Sequence, residues 1–109
     1  MSTMNDCIFC RIVSGEVPTE IEKETDRVVV FRDIHPSAPI HYLIVPKIHI
    51  RDIREAESYL WDDIRDVASD LAKERNLSGF RLATNAGDAA MVPHMHVHFL
   101  AGITKDRSV

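Results

Sequence analysis

Histidine recurs at every second position over His94-Met95-His96-Val97-His98, a concentration of reactive side chains found nowhere else in the chain. On a strand, a period of two places the three imidazoles on one face and Met95, Val97 and Phe99 on the other. The second face is apolar and suits a core; three imidazoles do not, so they need a chemical reason. An incidental, tag-like run would not be interior, strictly alternating and flanked by hydrophobic residues. A single three-histidine metal centre meets a geometric objection. The Cα atoms of His94 and His98 would stand roughly 13 Å apart, whereas an ion holds nitrogen at about 2 Å. Nucleophilic catalysis at phosphorus fits better. A neutral imidazole is nucleophilic near neutral pH, and its phosphoryl adduct is a good leaving group toward water. His96, with a histidine on either side, is the natural nucleophile. Its neighbours would position it or donate hydrogen bonds to phosphate oxygens.

A second constellation is Cys7-Ile8-Phe9-Cys10. Met1 to Asp6 has neither a basic start nor an apolar stretch, which predicts no secretory signal and a cytoplasmic, reducing location. That setting argues against a structural disulfide. A redox pair would stand at a helix start after a strand, and this one does not. Buried free thiols are one reading. A closed tetrahedral zinc site is another: it needs two more ligands, for which His49 and His94 are candidates, and two thiolates would balance the ion with no position left for a reacting water.

These residues need a scaffold, and its size is bounded. The chain has 109 residues, 45% hydrophobic and 28% charged, which predicts one globular domain over residues 1–109 and excludes a disordered character. Thirteen basic against seventeen acidic residues give a net charge of −4, the wrong balance for a duplex-binding protein but no obstacle to a local phosphate site. Apolar runs of about four residues, such as Val28 to Phe31, are far short of the ~20 a membrane span needs.

Cys7 to Val13 reads as a short helix stopped by Ser14-Gly15. Thr19 to Glu24 reads as an edge strand, Val28 to Phe31 as a strand and Asp33 to Pro39 as a loop. Ile40 to Val45 is a strand with His41, Leu43 and Val45 on one face. Leu60, Ile64, Val67 and Leu71 recur at helical spacing, which predicts one amphipathic helix over Ile53 to Arg75, ended by Asn76. Strands follow at Phe80 to Thr84 and His94 to Ala101. The fold class is α+β: an antiparallel sheet of about five strands, one long helix on one face and a short N-terminal helix.

His94-Met-His-Val-His98 resembles the signature of the histidine triad family of nucleotide hydrolases and transferases. Cys7 to Ile12, Phe31-Arg-Asp-Ile34, Pro39 to Ile50 and Asn85-Ala-Gly87 resemble segments of that family in the same order, so the likeness runs from about Cys7 to Gly102. It is nearest to the small phosphoramidase-type branch, whose members are often homodimers. The resemblance implies His96 as nucleophile on the α-phosphorus, with His98, His41 and His94 as the other histidines of the catalytic set. It implies a nucleotide site in which Asp33 binds the ribose hydroxyls, Phe31 and Ile34 enclose a purine, and Asn85 and Val92 face the sugar and phosphate beside His96 and His98. It also implies zinc on Cys7, Cys10, His49 and His94 as a structural metal, with no catalytic cofactor. The partners implied are a purine nucleotide or nucleoside phosphoramidate and a second copy of the chain, docked through the long helix and a neighbouring strand. Neither a stable nucleic-acid complex nor a membrane is expected. Read alone, Asp33 could be a turn residue, Phe31 a core ring, His41 an interior histidine and Asn85-Ala86-Gly87 a turn signal. The chain departs from the family pattern at Ala89-Ala90-Met91, where relatives usually carry glycine, glutamine and a serine or threonine. Ala90 and Met91 offer no side-chain donor to a phosphate or a leaving group.

Overall fold

The β-branched run at Val28 and the apolar run at Ile40 form the two central strands on which the rest is assembled. The computed structural model describes residues 6–108; the stretch read for a leader, residues 1–5, lies outside them. In chain order the elements are α1 (Ile8–Val13), β1 (Ile21–Glu24), β2 (Val28–Arg32), β3 (Ile40–Pro46), α2 (Ser58–Glu74), β4 (Arg81–Thr84) and β5 (Val97–Ala101). The strands make one antiparallel sheet in the order β1-β2-β3-β5-β4. The α+β arrangement of five strands, one main helix and a short helix is therefore the one read from the sequence.

α2 covers one face. Leu60, Ile64, Val67 and Leu71 meet Val28, Val30, Tyr42, Ile44, Met95, Val97 and Phe99 in the main core. The helix begins at Ser58 and not at Ile53. Ile53–Glu55 forms a separate 3-10 turn, and Ala56 and Glu57 are extended (ψ 128° and 155°). The apolar series starts only at Leu60, so nothing holds the preceding residues to the helix axis. The other end follows expectation: Asn76 takes a left-handed φ of 55°, and Leu77 N–H returns to the Ala72 carbonyl.

The opposite face of the sheet is covered only in part. Phe9 of α1 packs with Val29, Phe31, Leu43 and Val45, and Cys7, Ile12, Val13 and Val92 lie around the rim. The Cys7 thiol accepts from the Cys10 amide at the start of α1, and Gly15, at φ 82°, turns the chain after it. The candidate functional histidines sit on this thinly covered face. No helix among the described residues is long and apolar enough to cross a membrane.

Candidate functional site

Only His98 of the three alternating histidines lies within β5; His94 and His96 precede it. They still stay in phase, because Met95 N–H donates to the Ile50 carbonyl at 2.8 Å and holds the approach extended. Met95, Val97 and Phe99 point into the main core, and the imidazoles emerge on the other side. His96 is buried, with its ring edge-on to Phe9 at 5.0 Å and to His98 at 5.1 Å. Its Nδ1 lies 2.9 Å from the His94 carbonyl. A carbonyl can only accept, so Nδ1 carries the hydrogen and Nε2 keeps its lone pair. The Thr84 hydroxyl donates to the His96 carbonyl at 2.7 Å, fixing the backbone at His96 from the neighbouring strand.

His41 reaches the same place from β3. It pairs with Leu100, so His98 is its diagonal neighbour across the ladder. The Ser37 amide donates to His41 Nδ1 at 3.0 Å, which assigns the hydrogen of the neutral ring to Nε2. That Nε2 is 2.9 Å from His98 Nδ1 and 3.4 Å from Asp33 Oδ2. His98 therefore accepts at Nδ1 and has Nε2–H left to donate. Burial pushes the pKa of both rings below the ordinary histidine value. For His41 the nearby Asp33 carboxylate opposes the shift and the Arg107 charge adds to it; for His98 the neighbouring His96 and His41 add to it and Asp33 opposes. Neutral rings are what this chain of hydrogen bonds requires.

Among the described residues, two clusters have enough ligand atoms within 4.8 Å of one another to hold an ion: Cys7, Cys10, His49 and His94, and Asp33, His41 and His98. Their protons separate them. His94 Nε2–H donates to the Pro46 carbonyl at 2.8 Å, so its Nδ1 lone pair faces the Cys7 and Cys10 thiols at 3.3 and 3.4 Å. His49 Nδ1 lies 3.1 Å from the Cys10 sulfur and 3.2 Å from His94 Nδ1. Tetrahedral zinc with bonds of about 2.0–2.1 Å to nitrogen and 2.3 Å to sulfur would hold two nitrogens, or a nitrogen and a sulfur, roughly 3.3–3.6 Å apart. The donor types and spacings fit such an ion. In the other cluster the hydrogen on His41 Nε2 occupies the centre, so that group is a hydrogen-bond relay.

His94 thus turns its ring away from the other catalytic candidates, to the cysteines, and contributes only its carbonyl to His96. Asp33 accepts from the His35 amide at 2.8 Å through Oδ1 and faces His41 through Oδ2, so it is both a turn residue and a member of the relay. Phe31 is buried beneath Phe9, 5.9 Å between ring centroids, and Val92 packs against the same cluster. Ile34, by contrast, is 86% exposed. Asn85 is exposed in the loop that leads back toward His94. A small cleft of about 130 Å³ opens beside Asp33 and His41, bounded by Arg32, Pro36, Pro39, Ile40 and Tyr42. The sequence reading missed Phe9, Ser37, Thr84 and Asp52. Only Phe9 carried a signal, as an aromatic enclosed between two cysteines that must share one site.

A family model described as scavenger mRNA decapping enzyme C-term binding matches residues 6–107. The protein HitA of Neisseria gonorrhoeae is 33% identical over 103 residues, covering 89% of this chain and 96% of that protein. An uncharacterized HIT-like protein of Synechococcus elongatus is 36% identical over 103 residues, covering 89% and 90% of the two chains. Among solved structures, a HIT family hydrolase from Clostridium thermocellum superposes with a TM-score of 0.90 at 36% identity, over 98% of this chain and 99% of that one. A histidine triad protein from Clostridium difficile gives a TM-score of 0.88 at 37% identity over 100% of both chains.

Proposed function

The chain belongs to the histidine triad family, and from that premise we propose that it is a hydrolase that releases nucleoside 5′-monophosphate from a phosphoramidate through a covalent nucleotidyl-His96 intermediate. The observation that carries the reading is the His96 tautomer: the His94 carbonyl takes Nδ1–H and leaves the Nε2 lone pair for phosphorus. Nε2 attacks the α-phosphorus, a P–N bond forms to the ring and the bond to the amine breaks. The amine takes a proton from solvent as it departs, and the water that later attacks phosphorus gives one back. His94 O then faces an imidazolium N–H, which strengthens that hydrogen bond as the adduct forms. Water next attacks phosphorus, the P–Nε2 bond breaks, and the neutral ring returns with the nucleotide released. His98 Nε2–H donates to a phosphate oxygen, and His41, fixed by Ser37 and Asp33, orients His98 through its Nδ1.

For the nucleoside, the cleft at Asp33 is small against the ~300 Å³ or more of an enclosing ligand site. A purine would lie on the exposed Ile34 side chain, with the rim of Val92 beside the phosphate and Asn85 on the sugar side. A second copy of the chain completes the enclosure in this reading. The edge strand β4 supports it, since Phe80 and Leu82 are exposed next to its free side. Zinc on Cys7, Cys10, His49 and His94 is proposed as structural: with four protein ligands it has no open position, and its role is to fix the N-terminal segment against the sheet.

The test is mass spectrometry of protein mixed with an adenosine phosphoramidate, alongside steady-state rates on that substrate and on a diadenosine polyphosphate. A nucleotide-mass adduct on His96, absent in His96→Ala, is the expected result. Faster turnover of the polyphosphate would move the assignment to dinucleoside polyphosphate hydrolysis. Nucleotide binding with neither adduct nor product would make the protein a binding module.

A further inference from the structure

The loop between β4 and β5 carries Asn85 at one end and the nucleophile at the other, and its middle is tied to a residue that the proposed chemistry does not use. Asp52 is 3% exposed, a rare situation for a carboxylate. Its Oδ1 accepts from the Arg54 amide at 3.0 Å and from Arg54 Nε at 2.9 Å. Its Oδ2 accepts from Arg54 Nη2 at 2.7 Å and, across the fold, from the Gly87 amide at 3.1 Å. Gly87 has φ 59°, and a β-carbon there would lie 3.4 Å from Arg54 Nη2, so the guanidinium rests against the bare backbone of the loop. The next turn is closed internally, since the Ala89 and Ala90 amides return to the Ala86 and Gly87 carbonyls. Among the described residues, the turn Ala86–Ala90 is thus closed on itself and hydrogen-bonded to the rest of the fold through the Asp52 carboxylate.

We infer that Asp52 is a positioning residue for the nucleotide site: through Gly87 and Arg54 it fixes the loop that sets Asn85 and Val92 relative to His96. The inference rests on the reading of that site as a nucleotide site. The loop is the part of the site least served by other contacts. β5 holds His98, and Thr84 and Ile50 hold the backbone at His96 and Met95. Residues 89 and 90 are alanines, and among the described residues the Asp88 side chain makes no hydrogen bond or ion pair, so no side chain of that turn replaces the tie. Two charge-assisted bonds from Arg54, backed by two amide donors, make the Asp52 carboxylate a fixed anchor. The same contacts hold its pKa well below the usual carboxylate range, so the anchor stays charged over the working pH.

The experiment is a double-mutant cycle between Asp52→Asn and Asn85→Ala in zinc-loaded protein. The readouts are kcat and KM on an adenosine phosphoramidate, and binding of adenosine 5′-monophosphate. Asp52→Asn keeps the shape but replaces an acceptor with a donor, so the Arg54 or Gly87 bond is lost. Displacing a substrate-facing loop by about 1 Å costs on the order of 10²-fold. We expect a 10- to 100-fold fall in kcat/KM with unchanged acylation of His96 by diethyl pyrocarbonate, and a double variant no worse than the poorer single. Arg54→Met, at an exposed side chain, should reproduce the direction if Asp52→Asn folds poorly. Losses that multiply in the cycle, or a fall in His96 acylation matching the fall in kcat, would make Asp52 a general fold stabiliser and overturn the inference. If the parent binds the monophosphate but does not turn over, weaker binding in Asp52→Asn upholds the inference while the hydrolase reading fails. Equal binding overturns it, and a parent that neither binds nor turns over removes both.

Discussion

Phe9 joins the cysteine cluster to His96, the proposed nucleophile, and its removal is the most informative single change. Its ring is 7% exposed and has three aromatic neighbours: Phe31 at 5.9 Å, His94 at 5.7 Å and His96 at 5.0 Å. A buried Phe→Ala change costs about 3–5 kcal/mol, depending on how far the site collapses. α1 has only six residues and the cluster lies at the rim of the sheet, so collapse is easy and the lower end applies. Lost aromatic geometry adds about 0.5–1.5 kcal/mol. Phe9→Ala should therefore cost about 3.5–4.5 kcal/mol, roughly 14 °C or more in Tm for a domain of this size. Phe9→Leu should cost about 1 kcal/mol, since most of the apolar volume stays. Urea unfolding at fixed zinc concentration measures it, because a bound ion shifts apparent stability. The His96 ring also loses the wall that sets its angle, so adduct formation should slow by about tenfold or more even in fully folded protein. A Phe9→Ala cost under about 1 kcal/mol with an unchanged adduct rate would refute the idea that α1 is docked on the sheet as a wedge.

Protein purified under reducing, chelator-free conditions should carry stoichiometric zinc, and Cys7→Ala or Cys10→Ala should release it and lower Tm; a zinc-free parent would leave two free thiols. Because folding depresses the His41 and His98 pKa values, the unfolded chain binds protons more readily than the folded one. Stability should be complete above the unfolded value of about 6.5 and decline as pH falls below it. Urea midpoints at pH 7.5 and 5.5 test this, with His41→Gln/His98→Gln showing a shallower decline; equal slopes would contradict it. Ala90 and Met91 lack side-chain donors, and the Ala89 and Ala90 amides are consumed by the turn. Turnover should therefore be slow for simple amines and faster for activated mixed anhydrides, general-acid help being typically ~10²–10⁴-fold. Ala90→Gln/Met91→Ser should selectively raise rates on poor leaving groups; a uniform response across a series of graded leaving-group pKa would mean that this loop does not govern departure.

Periodicity made the scaffold legible. Strict alternation around His96 fixed which side chains face the core, and Leu60 to Leu71 fixed the helix face, because both depend only on local backbone repeat. The cysteine pair carried half of the donor group, while His49 and His94, its other half, came through the resemblance and not through any repeat. What the repeat could not carry was the division of labour among the histidines. His94 and His96 share a face and a spacing, yet one turns to the cysteines and the other to Phe9 and His98. That split depends on the Pro46 carbonyl, which takes the His94 Nε2 proton from 48 residues away. The separate turn ahead of the helix was likewise hidden: Asp52 caps Ile53–Glu55 locally through the Arg54 amide and also binds the Gly87 amide 35 residues on. Tautomers, buried anchors and the relay from Ser37 through His41 to His98 are decided by which backbone groups the fold brings into hydrogen-bonding range. A linear pattern holds no record of groups that meet only after the sheet has closed.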